Sequence, residues 1–130
     1  MIGTDIIEVA RIKRLIKEKG DFFLNRIYTQ KEIDYCESKG PNRYLHYAGR
    51  FAAKESIYKA LSSFLSDKPI LPELKILKLY EILNQENGVP KVNFIGNALK
   101  TDFSKHKISI KVSISHIEKY ASAVAIIVIT

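Results

Sequence analysis

The chain has 130 residues, 46% of them hydrophobic and 27% charged, which excludes a disordered or low-complexity chain and predicts a single domain over residues 1–130. Twenty-one Lys plus Arg against fourteen Asp plus Glu give a formal net charge of +7, which favours acidic partners without choosing among nucleic acid, an anionic membrane, an acidic protein and a phosphorylated cofactor. Cys36 is the one cysteine, so an intrachain disulfide and a Cys-rich zinc site are excluded and a reducing cytoplasm fits.

Residues 1–4 predict a short strand. Asp5-Ile6-Ile7-Glu8 then has the spacing of a capping box, so the chain is expected to pass from strand to helix at Asp5. No basic segment followed by an apolar run marks a secretion signal. Val9, Ile12, Leu15 and Ile16 recur at helical spacing, while Arg11, Lys13, Arg14, Lys17 and Lys19 make that helix basic and Gly20 ends it. Thr29-Gln30-Lys31-Glu32 is a second capping box, opening a helix toward Ser38 that Gly40-Pro41-Asn42 breaks. A longer helix is expected over about 44–63.

Further on, residues 74–83 alternate as a strand does, and Asn87-Gly88 supplies a turn signal before a short strand at 91–94, which predicts a hairpin. A short helix at 97–104, a strand at 108–115, a turn at His116-Ile117-Glu118-Lys119 and a last strand at 121–129 complete the chain. That last strand is the longest apolar stretch, far below the ~20 residues of a membrane-spanning helix, so no membrane partner is expected. Early helices and late antiparallel strands predict an α+β fold, with the helices packed on an antiparallel sheet.

The segment Arg50-Phe51-Ala52-Ala53-Lys54-Glu55-Ser56-Ile57-Tyr58-Lys59-Ala60 places Ala48, Ala52, Glu55 and Lys59 on one helical stripe. By spacing alone, Glu55 and Lys59 are an ordinary exposed pair, and Asp5 is an ordinary cap. Taken together, an Asp at a strand end, a Glu on a helix and a neighbouring Lys are the ingredients of a magnesium site shared with a phosphate ligand, because Mg takes only one or two protein carboxylates when phosphate and water complete its shell.

The chain resembles the small holo-acyl-carrier-protein synthases among the 4′-phosphopantetheinyl transferases. Three segments carry the resemblance in family order: Ile2-Gly3-Thr4-Asp5-Ile6-Ile7-Glu8 with Arg11, Arg50-Phe51-Ala52-Ala53-Lys54-Glu55 with Lys59-Ala60, and Val112-Ser113-Ile114-Ser115-His116. It implies the transferase fold, and transfer of 4′-phosphopantetheine from coenzyme A to a serine of an acyl carrier protein, leaving adenosine 3′,5′-bisphosphate. It further implies that Asp5 and Glu55 hold Mg, that Lys59 lies by the coenzyme's phosphates, and that His116 helps to bind the coenzyme. Glu55 is also the candidate base, Lys59 a second catalytic group, and Arg11, extended by Arg14 and Lys17, the contact for an acidic carrier. Short members of the family are trimers with active sites between subunits, so a homotrimer is implied.

One departure is clear. Where the family usually has a Gly-Thr-Gly-type turn after its Lys-Ala-Leu, this chain has Leu61-Ser62-Ser63-Phe64, leaving that loop in doubt as a coenzyme contact unless Ser62 or Ser63 replaces it. His46 and His106 match none of the family's motifs. The rival class is a small basic nucleic-acid-binding domain, favoured by charge and by several tyrosines. It leaves Asp5, Glu55 and Lys59 unexplained, so no nucleic-acid partner is expected.

Overall fold

The computed structural model describes residues 1–64, 76–96 and 107–129. Strand β1 (Ile2–Glu8) leads into helices α1 (Val9–Lys19), α2 (Asp21–Ile27) and α3 (Gln30–Glu37), and a 3-10 turn at Gly40–Asn42 opens the long helix α4 (Arg43–Phe64). A second 3-10 turn at Leu77–Leu79 precedes β2 (Tyr80–Asn84), which is followed by β3 (Pro90–Phe94), β4 (Ile108–His116) and β5 (Tyr120–Ile129). The strands form an antiparallel sheet of order β1-β5-β4 and a separate β2-β3 hairpin. The expected α+β arrangement is therefore present.

Asp5 is not a helix cap. β1 runs through it to Glu8, with Asp5 opposite Ala123 in the ladder, and Glu8 is the residue before α1, making no side-chain cap. Ile2, Thr4, Ile6 and Ile7 are β-branched residues that fit a strand, and pairing with β5 outweighs one capping bond. The second capping box is as expected, with Glu32 Oε1 accepting from Thr29 N at 2.8 Å and Thr29 Oγ1 accepting from Glu32 N at 3.3 Å.

Other boundaries differ too. A short helix, α2, starts directly after Gly20, whose φ of +54° suits glycine. The strand expected over 74–83 begins only at Tyr80, because Leu77–Leu79 coil into a 3-10 turn that buries Leu77. The helix expected over 97–104 lies outside the described residues.

Helix α4 lies against the sheet because both surfaces are small where they meet. Alternate β5 residues Ala121, Ala123, Ala125 and Ile127 are buried, as are Ala52, Ala53, Ser56 and Ala60 of the helix. Contact is closest at Gly3, where an added Cβ would collide with the Ser56 carbonyl oxygen and stand 2.8 Å from Ala60 N. A residue other than glycine would push β1 off the helix. The opposite sheet face exposes Ile2, Ile6, Val124, Ile126 and Val128.

Lys54 ties the rest of the chain to α4 from inside. Its fully buried ammonium meets Glu32 Oε1 at 2.7 Å and donates to the carbonyls of Ile27 (2.9 Å), Leu77 (2.9 Å) and Tyr80 (3.0 Å). Glu32, equally buried, also accepts from Ile82 N through Oε2. Burial pushes Lys54 below the ordinary lysine range and Glu32 opposes that shift. One amine thereby fixes the end of α2, the start of β2 and the capping box of α3.

Candidate active site

On β1, Gly3, Asp5 and Ile7 share the face turned toward α4, as strand alternation requires. Seating Gly3 on Ser56 and Ala60 therefore brings Asp5 beside the next exposed turn of that helix. Lys59 Nζ donates to Asp5 Oδ1 at 3.2 Å and to the Thr4 carbonyl at 3.0 Å. Asp5, Arg11, Glu55 and Lys59, with Glu8 and Tyr120, line one cleft of about 420 Å³ at the β1 edge of the sheet. Four residues singled out from the sequence, drawn from three separate elements, thus come together.

The carboxylates suit a hard cation. Asp5 is largely sheltered, with 16% of its side chain exposed, whereas Lys59 is 52% exposed. Lys59 engages only Oδ1, which leaves Asp5 Oδ2 without a protein partner among the described residues. No group of three His, Cys, Asp or Glu side chains able to hold a metal occurs among the described residues. A cation here would draw on the Asp5 and Glu55 oxygens and need ligand oxygens and water to complete its shell, which is the habit of Mg.

His116 lies elsewhere. A second cleft, of about 490 Å³, opens at the β4 edge and is lined by Tyr35, His46, Arg50, Asn84, Asn87 and His116 among others. The two clefts have no lining residue in common. Arg50 lies over the Tyr35 ring at 4.6 Å and donates from Nη2 to Asn84 Oδ1 at 3.0 Å, while its buried Nε has no partner among the described residues. The His46 ring meets His116 edge-on at 5.4 Å and Tyr35 at 5.6 Å. Burial, then His116, Lys39 and Arg50, pull His46 below the ordinary histidine range.

Arg14 is exposed on α1 and lines neither cleft, and Lys17 is exposed on the same helix. Ser62 bonds back to the Tyr58 carbonyl at 2.8 Å within α4. Residues 65–75, and with them the loop in question, lie outside the described residues, as does His106. Cys36 is buried and its thiol is pushed up to about 12, chiefly by that burial, so it is no nucleophile. Sequence reasoning left Tyr35 and Tyr120 unassigned because nothing in their local spacing sets them apart, and it read Glu8 as a capping partner rather than as a wall of the cleft.

Residues 1–125 match the 4′-phosphopantetheinyl transferase superfamily. The holo-[acyl-carrier-protein] synthase of Ruminiclostridium cellulolyticum is 41% identical over 98% of this chain and 90% of its own length. That of Protochlamydia amoebophila is 44% identical over 96% of this chain and 94% of its own. Among solved structures, the Helicobacter pylori holo-[acyl-carrier-protein] synthase in complex with coenzyme A superposes with a TM-score of 0.77 at 32% identity, covering 98% of this chain and all of that one. The Chronobacterium ammoniagenes ACPS-CoA complex gives a TM-score of 0.87 at 25% identity, covering 100% of this chain and 97% of that one. The chain belongs to the 4′-phosphopantetheinyl transferase superfamily.

Proposed function

We infer that this chain is a holo-[acyl-carrier-protein] synthase, transferring 4′-phosphopantetheine from coenzyme A to a serine of an apo-acyl carrier protein. The observation that supports this most is the convergence of Asp5, Glu55 and Lys59 on one cleft, since these are the residues that phosphate chemistry needs in a small space. In the reaction, the serine oxygen attacks the β-phosphate of coenzyme A and the bond to adenosine 3′,5′-bisphosphate breaks. Asp5 and Glu55 are the residues that would hold Mg, which when bound offsets charge on the phosphate oxygens. Glu55 takes the serine proton. Lys59, already hydrogen-bonded to Asp5, turns its ammonium to the phosphate whose charge grows as the bond breaks.

His116 contacts the coenzyme in the second cleft. Because that cleft and the Asp5 cleft share no residue and lie at opposite edges of the sheet, the donor spans two copies of the chain, one supplying Asp5 and Glu55 and the other His116. The apolar outer face of the sheet, where Ile2 pairs with Ile126, suits burial against a second copy, and we assign a homotrimer. Arg11 and Arg14 receive the acidic carrier. Cytoplasmic residence accords with this chemistry, and among the described residues no helix is long and apolar enough to cross a membrane.

Intact mass of an apo-acyl carrier protein after incubation with the chain, coenzyme A and Mg tests the reaction. A gain of one phosphopantetheinyl group is expected, and an unmodified carrier under conditions where a related synthase works sinks the reading. Light scattering gives the trimer independently.

A further inference from the structure

The second cleft contains two imidazoles in contact, and only one of them has a place in the function described above. His46 projects from α4 and meets His116 of β4 with ring centroids 5.4 Å apart and planes at 68°. Neither ring has a hydrogen-bond partner among the described residues, so their nitrogens are left for solvent or a ligand. The other groups around His46 are Tyr35 from α3, its ring 5.6 Å away, and the positive charges of Lys39 and Arg50. No carboxylate is among the described residues lining the cleft. Gly49 keeps it narrow, since an added Cβ would stand 3.0 Å from Ile114 Cγ2 and 4.0 Å from His116 Cδ2.

We propose that His46, edge-on to His116, is an anion-responsive positioning residue, onto which an anionic phosphate of the donor entering the second cleft draws a proton. The proposal rests on coenzyme A occupying this cleft, as argued above. A charged His46 would stand beside the His116 ring, Lys39 and Arg50 with no carboxylate among the described lining residues to offset it, so the cleft without a ligand disfavours its protonation. An anion among them reverses the balance by giving every positive centre a partner. His46 is thus a positioning residue. It does not touch the reacting atoms, but its ring packs against that of His116 and its charge links donor affinity to pH.

Linkage fixes the direction. Burial and neighbouring positive groups hold His46 below the ordinary histidine range, and a bound phosphate raises it again. A rise of about one pH unit in its midpoint corresponds to coenzyme A binding about tenfold more tightly below both midpoints than above them.

With only 3 histidines in the chain, proton NMR of the imidazole Cε1 resonances follows each ring directly, and His46→Phe, which keeps an aromatic ring in the T-shaped contact, identifies the His46 signal by its loss. Titration of the intact protein with and without saturating coenzyme A is expected to move the His46 midpoint upward by about one pH unit or more. The KM for coenzyme A should rise with pH across this window in the wild type, and the profile should flatten in His46→Phe. If coenzyme A binds, as seen by calorimetry, and the His46 midpoint stays put, the role given to His46 is wrong while the transferase reading stands. If coenzyme A does not bind at all, both fall together.

Discussion

Two lysines five residues apart on α4 make the same kind of bond in opposite surroundings. Lys54 is enclosed with Glu32 and three backbone carbonyls, and neither charge of the pair has solvent to turn to. Lys59 is about half exposed and holds Asp5 and the Thr4 carbonyl at the mouth of a cleft. The first pair has no cheap alternative to its present partners, so it fixes structure. The second can exchange a partner for an incoming phosphate at little cost, which is what a site requires.

The largest effect that would sharpen this contrast is at Lys54. Lys54→Met leaves the Glu32 carboxylate buried without its counter-ion and three carbonyls without their donor, so a loss of about 3–5 kcal/mol is expected, a large share of the stability of an ordinary domain. Urea denaturation followed by circular dichroism measures it. The double variant Lys54→Met with Glu32→Leu should recover part of that loss, because it removes the orphaned charge. If the single variant is as stable as the wild type, the buried pair is not what holds α2, α3 and β2 to α4.

At the other pole, Asp5→Ala and Glu55→Ala should cost activity rather than stability. If these carboxylates hold Mg as proposed, loss of either is expected to lower kcat/KM by roughly a hundredfold or more, the rate equivalent of a few kcal/mol of charge stabilisation. Because Asp5 caps no helix and lies in β1 opposite Ala123, no capping energy goes with it. The denaturation midpoint should therefore shift little. A carrier-modification assay at fixed Mg separates the two outcomes, and full activity in either variant removes that residue from the site.

Those two poles also show what a sequence can disclose. Asp5, Glu55 and Lys59 stand in short segments with recognisable order, and the structure gathers them because a glycine and small helix residues let β1 touch α4. The role of Lys54 was not legible. It stands next to Glu55 in the same segment, yet its partners lie at positions 27, 32, 77 and 80, and only tertiary packing brings these together. The same reason explains the misplaced start of α1. A capping box is a local signal, and it loses to a cross-strand ladder with residues more than a hundred positions away. Thr29 to Glu32, with no competing ladder, forms its box as the local signal says. His46 gave no signal because its significance depends on facing His116.

Lys59→Ala is the intermediate case. Its ion pair is too exposed to matter for folding, and a stability loss of about 1 kcal/mol or less is expected. The rate should fall more, by roughly tenfold to a hundredfold in kcat, with a smaller rise in the KM for coenzyme A, since the ammonium meets its full complement of charge only as the phosphate leaves. Lys59→Arg keeps the charge but spreads it over a planar group, and should recover only part of the rate. A variant with wild-type kcat and a raised KM would reduce Lys59 to a binding contact.

The smallest expected effect separates the two arginines of α1. Both are exposed, but Arg11 lines the Asp5 cleft while Arg14 does not. Charge reversal at Arg11 is therefore expected to disturb both substrates, raising the KM for coenzyme A as well as for the carrier. Arg14→Glu reaches only a protein docked on the helix. It should raise the carrier KM by roughly fivefold to tenfold at low salt and leave the coenzyme KM unchanged, because a rim charge acts through long-range complementarity more than through close contact. Raising ionic strength shortens the range of that attraction, so the difference between wild type and Arg14→Glu should shrink steadily from 0.01 M toward about 1 M salt, where the screening length has fallen to roughly 3 Å. For Arg11→Glu the coenzyme part of the defect should survive the salt, since a partly enclosed contact is screened less. Identical salt dependence in the two variants would mean that Arg11 serves the carrier alone, and that the cleft it lines draws nothing from its charge.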